Sequence, residues 1–374
     1  MAARIGLIVN PTAGAGGRVG LHGTDGRDRF AEAVRRGGVP ASTPRAGRAL
    51  RRLALSCGDV SILAAPGIMG ADVAAASGFT VRALDQQLPA DGPTTAADTR
   101  EAARLLAQAG VQVLAFAGGD GTAREIVEAV GTALPIVGIP GGVKMRSGVF
   151  GTSPEAAADL ISDYLRHADR PLAEAEILDA AEDDGLRTEF YALAIVPGLG
   201  GSRMAGPKSF GFAGTSEESA ALCAAVAADM QPGTLYLFGP GSTTAGVLHQ
   251  LGLHGTVLGV DAVLDGKLIG TDLTEQAITE LMDRSAATRL ILGVIGGQGF
   301  LLGRGNQQLG PAVLARLRTS DLLILATAGK LAALSPPRLL IDAGDEVAFG
   351  GLCGYHRVRT GPARYMMMQV ATAA

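Results

Sequence analysis

The chain holds 374 residues, with 32 basic and 36 acidic side chains, 47% apolar residues and 54 glycines. At 18% charged residues it falls below the ~25% of an average soluble protein, which excludes a charge-rich disordered chain, and its length predicts two domains that can each bury a core. The glycines run at about twice the usual share without a three-residue period, which excludes collagen and assigns them to loops.

In chain order, the first 150 residues alternate short β-branched runs with Ala- and Arg-rich helical stretches. Strands are predicted at Ile5–Val9, Ser61–Ala65, Thr80–Leu84, Val111–Ala117 and Ile136–Ile139, with helices at Thr95–Ala109 and Pro154–Arg166, the latter capped by Ser153. Continuous apolar strands separated by helices imply a parallel sheet covered on both faces, with ligands at the carboxyl ends of its strands. Residues 1–58 carry ten Arg against three acids, and Arg45, Arg48, Arg51 and Arg52 fall at helical spacing. That row is either a solvated helix face or a polyphosphate surface.

From Phe190 onward, strands are predicted at Phe190–Val196, Leu235–Phe238, Val257–Leu264, Arg289–Ile295, Leu322–Ala326 and Leu339–Ile341. Helices at Thr244–Leu251 and Thr274–Met282 and a hairpin turn at Asp265–Gly266 make this half mixed α/β. A first domain over 1–168 and a second over 169–374 follow. Cys57, Cys223 and Cys353 are far apart, without zinc or disulfide spacing, and the five histidines are scattered. No apolar run reaches the ~18 residues of a membrane span, so a cytoplasmic protein is expected. With 4% aromatics and no Trp, base-stacking platforms for nucleic acid are not expected. No membrane partner is expected and a homo-oligomer is allowed, and the glycine-rich loops make small-molecule nucleotides the expected partners.

Three loops carry the chemistry. Gly118-Gly119-Asp120-Gly121-Thr122 lies between an apolar strand and a helix, where free N–H groups and close backbone approach make an anion site. An acid among those glycines fits a group that handles a magnesium ion or takes a proton from an attacking hydroxyl; the alternative is a tight turn with Asp120 as a cap. Thr122 to Glu125 also reads as a capping box, which favours a structural role for Glu125. The loop Asn10 to Arg18, with Gly14, Gly16 and Gly17, is a phosphate loop or a plain connection. In Gly138 to Ser147, Lys144 and Arg146 are suited to balancing charge on a transferring phosphoryl group. Gly241-Ser242-Thr243 repeats the strand, turn and helix pattern, and Gly303 to Gln308 offers amide and guanidinium donors, Asn306 among them.

As a set, these loops with Pro66-Gly67-x-Met69-Gly70 and Ala97-Asp98-Thr99 resemble the ATP-NAD kinase family of the NAD kinase and diacylglycerol-kinase superfamily, in particular the branch that includes the acetoin-catabolism protein X. The resemblance implies a kinase-type α/β first domain, a second domain completing the cleft, and magnesium-dependent phosphoryl transfer from ATP or polyphosphate to the 2′-hydroxyl of the adenosine ribose of NAD. It makes Asp120 the base and places Gly241-Ser242-Thr243 near the dinucleotide. Pro140 stands where NAD kinases carry Asn, and their Asn-Glu acceptor motif is not found. The second half also looks richer in helix than the second domain of those enzymes. The alternatives are a kinase for a lipid, polyol or acetoin-related alcohol, and a nucleotide sensor without catalysis.

Overall fold

The computed structural model describes residues 3–21, 26–57, 59–89, 93–143, 145–167, 169–180, 188–198, 204, 216–295, 298–342 and 350–373. The chain divides into two compact units, one built from Met1–Gly16 and Gly23–Pro207, the other from Gly17–His22 and Lys208–Ala373.

In the first unit, β1 (Arg4–Val9), α1 (Arg27–Arg35), α2 (Ser42–Ser56), β2 (Ser61–Ala64), α3 (Ala71–Ala76), β3 (Val81–Ala83), α4 (Ala96–Gln108), β4 (Val113–Gly118), α5 (Asp120–Val130), β5 (Ile136–Pro140) and α6 (Pro154–Arg166) alternate along the chain. The strands form a parallel sheet in the order β3-β2-β1-β4-β5. Every residue of β4 is buried because both faces are covered. Val113, Ala115 and Ala117 pack with α2 and α6, whereas Leu114 and Phe116 pack with α4 and α5. The chain runs outward from β1 through β2 to β3, then crosses back to β4. The loops after β1 and β4 therefore flank the point where strand order reverses, the usual ligand position in open α/β sheets.

Local chemistry fixes the helix starts as expected. Ser153 Oγ accepts from the Ala156 N–H at 2.9 Å with Pro154 in the first turn, and Thr95 and Asp98 form a capping box at the start of α4. In the Arg row on α2, Arg51 and Arg52 are exposed, as on a solvated helix face, and three of the four have partners among the described residues. Arg48 forms a two-point pair with Glu155 of α6 (2.9 and 3.0 Å), and Arg52 does the same with Asp159 (2.7 and 3.0 Å). Arg45 donates to the carbonyl of Pro140 at 3.0 Å.

Beyond α6, β6 (Leu172–Ala180) and β7 (Thr188–Pro197) form an antiparallel pair. These strands belong to the first unit, although the sequence places them in the second domain. The reason is packing: Ile177, Ala194 and Val196 join the core beneath α4 and α5. The stretch 181–187 lies outside the described residues.

The second unit contains α7 (Ser216–Ala228), β8 (Thr234–Phe238), α8 (Ser242–Gln250), β9 (Asp261–Leu264), β10 (Lys267–Gly270), α9 (Glu275–Asp283), β11 (Ala287–Gly293), β12 (Phe300–Leu302), α10 (Pro311–Leu314), β13 (Leu322–Leu325), α11 (Ala328–Ala332), β14 (Arg338–Ile341), β15 (Gly354–Arg359) and β16 (Tyr365–Thr372). Nine of these strands make one mixed sheet, in the order β10-β9-β8-β11-β13-β15-β16-β14-β12. With five helices among its described residues beside this nine-strand sheet, this half is mixed α/β, as the sequence predicts. Asp265 and Gly266 both take positive φ (50° and 71°) between β9 and β10, as the expected hairpin turn requires. The strand predicted from Val257 starts only at Asp261, because the Asp261 carboxylate accepts from the backbone N–H groups of Thr256 and Asp272 and folds the preceding residues into a turn. No helix among the described residues is long and apolar enough to cross a membrane.

Candidate functional site

The ends of β1, β4 and β5 bring three Gly-rich loops into backbone contact. The N–H of Gly141 donates to the carbonyl of Gly118 at 3.0 Å, and that of Asn10 to the carbonyl of Ala117 at 2.9 Å. Gly14 takes φ +86°, and a Cβ there would lie 2.5 Å from the carbonyl oxygen of Gly141. A Cβ on Gly142 would lie 2.5 Å from the Cα of Gly119, and one on Gly118 would lie 2.4 Å from Thr122 Oγ1. Glycine is needed at Gly14 and Gly142 because backbone meets backbone, and at Gly118 because the Thr122 side chain fills the space.

The first loop is a built element, not a loose connection. Asn10 Oδ1 accepts from the N–H and the hydroxyl of Thr12 (3.1 and 2.9 Å), while its Nδ2 donates to Thr122 Oγ1 at 3.0 Å. The start of α2 closes it from behind: the N–H groups of Ala41 and Ser42 donate to the carbonyl of Ala13, and the Ser42 hydroxyl donates to that of Asn10. Gly16 is buried at the end of this loop.

Asp120 opens α5, with Gly119 as the extended N-cap. Its Oδ1 accepts from the Arg146 N–H (2.9 Å), the Ser147 N–H (3.0 Å) and the Ser147 hydroxyl (2.7 Å), and its Oδ2 accepts from the Arg146 N–H (2.8 Å). The carboxylate is enclosed even though the residue keeps some surface. Burial pushes its pKa above the ordinary carboxylate value, against the opposing pull of the Ser147 and Arg146 donors and the Arg146 charge. Burial also pushes the Arg146 guanidinium down, while Asp120 and Asp179 act to hold its proton. A carboxylate with a raised pKa at the reversal point of a parallel sheet is suited to accepting a proton.

The other predicted positions fall as follows. Gly121 and Thr122 lie in the first turn of α5. Thr122 is therefore not an N-cap, and the expected capping box with Glu125 does not form, because the helix begins two residues earlier and the Thr122 hydroxyl is bonded to Asn10. Lys144 lies outside the described residues. Gly17 belongs to the second unit, where a Cβ on it would lie 2.9 Å from the Cβ of Gln307.

Also in the second unit, Gly241 takes φ 137° as the N-cap of α8, and its N–H is held by the carbonyl of Val257 at 2.8 Å. Ser242 is exposed, while Thr243 is buried and accepts from Lys330 Nζ at 3.4 Å. Asn306 ties its own loop, accepting from the Gly303 N–H at 2.8 Å and donating to the Leu301 carbonyl at 2.7 Å, so its amide shapes the turn. Arg304 of the same loop is paired with Asp342 in the interior. The sequence reading assigned no role to Ser147, Ser42 or Asp179. Only Ser147 carried a signal, since it closes the quoted loop.

Among the described residues, no three His, Cys, Asp or Glu side chains gather as a metal site. Asp120 faces N–H and O–H donors, which suits a proton acceptor and not a preformed magnesium cage.

The sequence matches the ATP-NAD kinase N-terminal domain over residues 5–168 and the ATP-NAD kinase C-terminal domain over residues 232–370. The chain belongs to the ATP-NAD kinase family. No curated protein matches it. In this ATP-NAD kinase family member, the N-terminal match takes in all three converging loops and Asp120. Gly142→Ala should force Gly119 and Gly142 apart, destabilise the protein by about 1–3 kcal/mol and weaken nucleotide binding, read by thermal denaturation and nucleotide titration. Gly351→Ala is the matched control, since a Cβ there meets nothing within 4 Å. An unchanged Tm and affinity for Gly142→Ala would reject the close-approach account.

Proposed function

We propose that the protein transfers the terminal phosphoryl group of ATP, or of polyphosphate, to the 2′-hydroxyl of the adenosine ribose of NAD, giving NADP. The observation that carries this reading is the meeting of the three loops at the start of α5, where Asp120 is held by Arg146 and Ser147, in a member of the ATP-NAD kinase family. In the proposed step, the Asp120 carboxylate takes the proton of the acceptor hydroxyl. The freed oxygen attacks the terminal phosphorus, and the bond from that phosphorus to the bridging oxygen breaks, releasing ADP from ATP, or a polyphosphate shorter by one phosphate.

The N–H groups of the Asn10–Gly16 and Gly118–Thr122 loops hold phosphate oxygens, and Arg146 and Lys144 balance developing charge. Magnesium enters bound to the donor's phosphates, as is common for this ion. Gly241, Ser242 and Thr243 contact nucleotide in the second unit, and Gly17 and Asn306 shape the loops beside them. A second reading keeps the step and changes the acceptor to another small alcohol, of the acetoin-related kind. It is favoured by Pro140, which ends β5 without an amide side chain to offer an acceptor.

The test is to incubate the protein with MgATP or polyphosphate and NAD, detecting NADP with a coupled dehydrogenase, alongside a panel of small alcohols. NADP formation supports the first reading. Phosphorylation of another alcohol alone supports the second, and nucleotide binding without transfer rejects both.

A further inference from the structure

We propose that Ser147 is a positioning residue of this reaction: its hydroxyl, aimed by the backbone of β6, holds the Asp120 carboxylate in the orientation that accepts the proton. The inference rests on the reading of Asp120 as the base.

Ser147 is fully buried and touches Asp120 twice, its N–H and its hydroxyl both reaching Oδ1 (3.0 and 2.7 Å). The same hydroxyl oxygen accepts the N–H of Leu178 at 3.0 Å. A hydroxyl has one hydrogen and two acceptor positions, so a donor arriving from Leu178 leaves the hydrogen to be given elsewhere. Two acceptors compete for it, Asp120 Oδ1 at 2.7 Å and the Leu178 carbonyl at 3.4 Å. The shorter, charge-assisted bond wins. Ser147 therefore transmits the position of β6 to the carboxylate. Gly148 strengthens the link, its N–H donating to the Glu176 carbonyl at 2.9 Å.

Among the described residues, the charged groups nearby are Arg146 in the same loop, Asp179 on β6 and Arg124 on α5, which pairs with Asp179. Asp120 also sits at the positive end of the α5 dipole. The Arg146 N–H also reaches both carboxylate oxygens (2.9 and 2.8 Å), and the Ser147 hydroxyl adds the side-chain donor that a substitution can remove. Burial drives the Asp120 pKa up, and the Ser147 donors oppose that shift.

The test is Ser147→Ala in the full-length protein. The expected result is a roughly 10- to 100-fold loss of kcat with KM for both substrates little changed, and an acid limb of the kcat–pH profile moved upward by about one to two pH units, as expected when a buried carboxylate loses a hydrogen-bond donor. A merely structural serine would not move that limb. A superimposable profile, or an effect confined to KM, overturns the proposal.

A second readout does not depend on turnover. In protein labelled with ¹³C at aspartate carboxyls, the resonance missing from Asp120→Asn is followed against pH. Its midpoint should rise in Ser147→Ala, and by less in Ser147→Cys, which keeps the volume and a weak donor and serves alone if the alanine variant does not fold. An unchanged midpoint overturns the proposal even if the enzyme is active. A protein that makes no NADP while the midpoint shifts sinks the reading of function and leaves Ser147's control of Asp120 standing.

Discussion

Asp120→Asn is expected to lower kcat by roughly 10²- to 10⁴-fold, the range usual for loss of a positioned general base. The amide oxygen can still accept the two bonds from Ser147. The amide nitrogen, however, replaces Oδ2 as partner of the Arg146 N–H and turns an acceptor into a donor. Fold and nucleotide binding should persist, so the loss appears in kcat and not in KM. NADP formation by the variant at the parent rate would remove Asp120 from the mechanism.

The same substitution separates catalysis from stability. The folded-state pKa of Asp120 lies above its ordinary value of 3.8, so the folded protein holds this proton more tightly than the unfolded chain does. Its contribution is fully present below that ordinary value and is lost as pH rises through the folded pKa. Relative to Asp120→Asn, the parent protein should therefore lose stability as pH rises above that ordinary value of 3.8. Thermal denaturation of the pair over that rise checks the sign. A difference that grows in the parent's favour with rising pH would show that the hydrogen bonds outweigh burial at this carboxylate.

Arg304→Met carries the largest expected effect on stability. Arg304 and Asp342 are 3% and 4% exposed, and Nε lies 3.0 Å from Oδ2, with the guanidinium carbon 4.4 Å over the Phe300 ring. Taking away the guanidinium leaves the Asp342 carboxylate in the interior without that charge partner. Such a change costs about 3–5 kcal/mol, on the order of 10 °C in Tm for a unit of this size. Replacing both residues, as in Arg304→Met with Asp342→Leu, should recover most of the loss, because the desolvation of two ions is removed along with their attraction. A double variant no more stable than the single one would place the stabilisation elsewhere in the Gly303–Gln308 turn.

The strands of the first sheet were readable as short, largely apolar runs between helices, although β3 carries the exposed Arg82. Ser153 announced the start of α6 through capping chemistry that acts within four residues, whereas the Thr95 and Asp98 capping box of α4 emerged only in the structure. What could not be read depended on contacts distant in sequence. Leu172–Ala180 is built of Ala, Leu, Glu and Asp around one Ile, mostly good helix formers, and becomes a strand because β7 pairs with it and Ile177 reaches the core. Tyr365–Thr372 contains three consecutive Met and no clean alternation, yet it pairs with β15 on one side and β14 on the other. The Arg row on α2 gave its spacing but not its partners, which lie 107 residues away on α6. In the candidate site, Asp120 stood out as an acid among glycines, whereas Ser147 becomes meaningful only once Leu178 is placed beside it.

The passage of Gly17–His22 into the second unit, between two stretches of the first, has a practical consequence for dissecting the protein. A single cut after Pro207 would not yield two self-sufficient fragments. The carboxyl-terminal piece would lack Gly17, packed on Gln307, and Arg18, 3.9 Å from Glu275. The amino-terminal piece would retain those residues without the surface they fit. Mixing the two fragments should therefore restore structure that neither holds alone, and a circular permutant is better opened in an exposed turn such as Asp265–Gly266 than at the join between units.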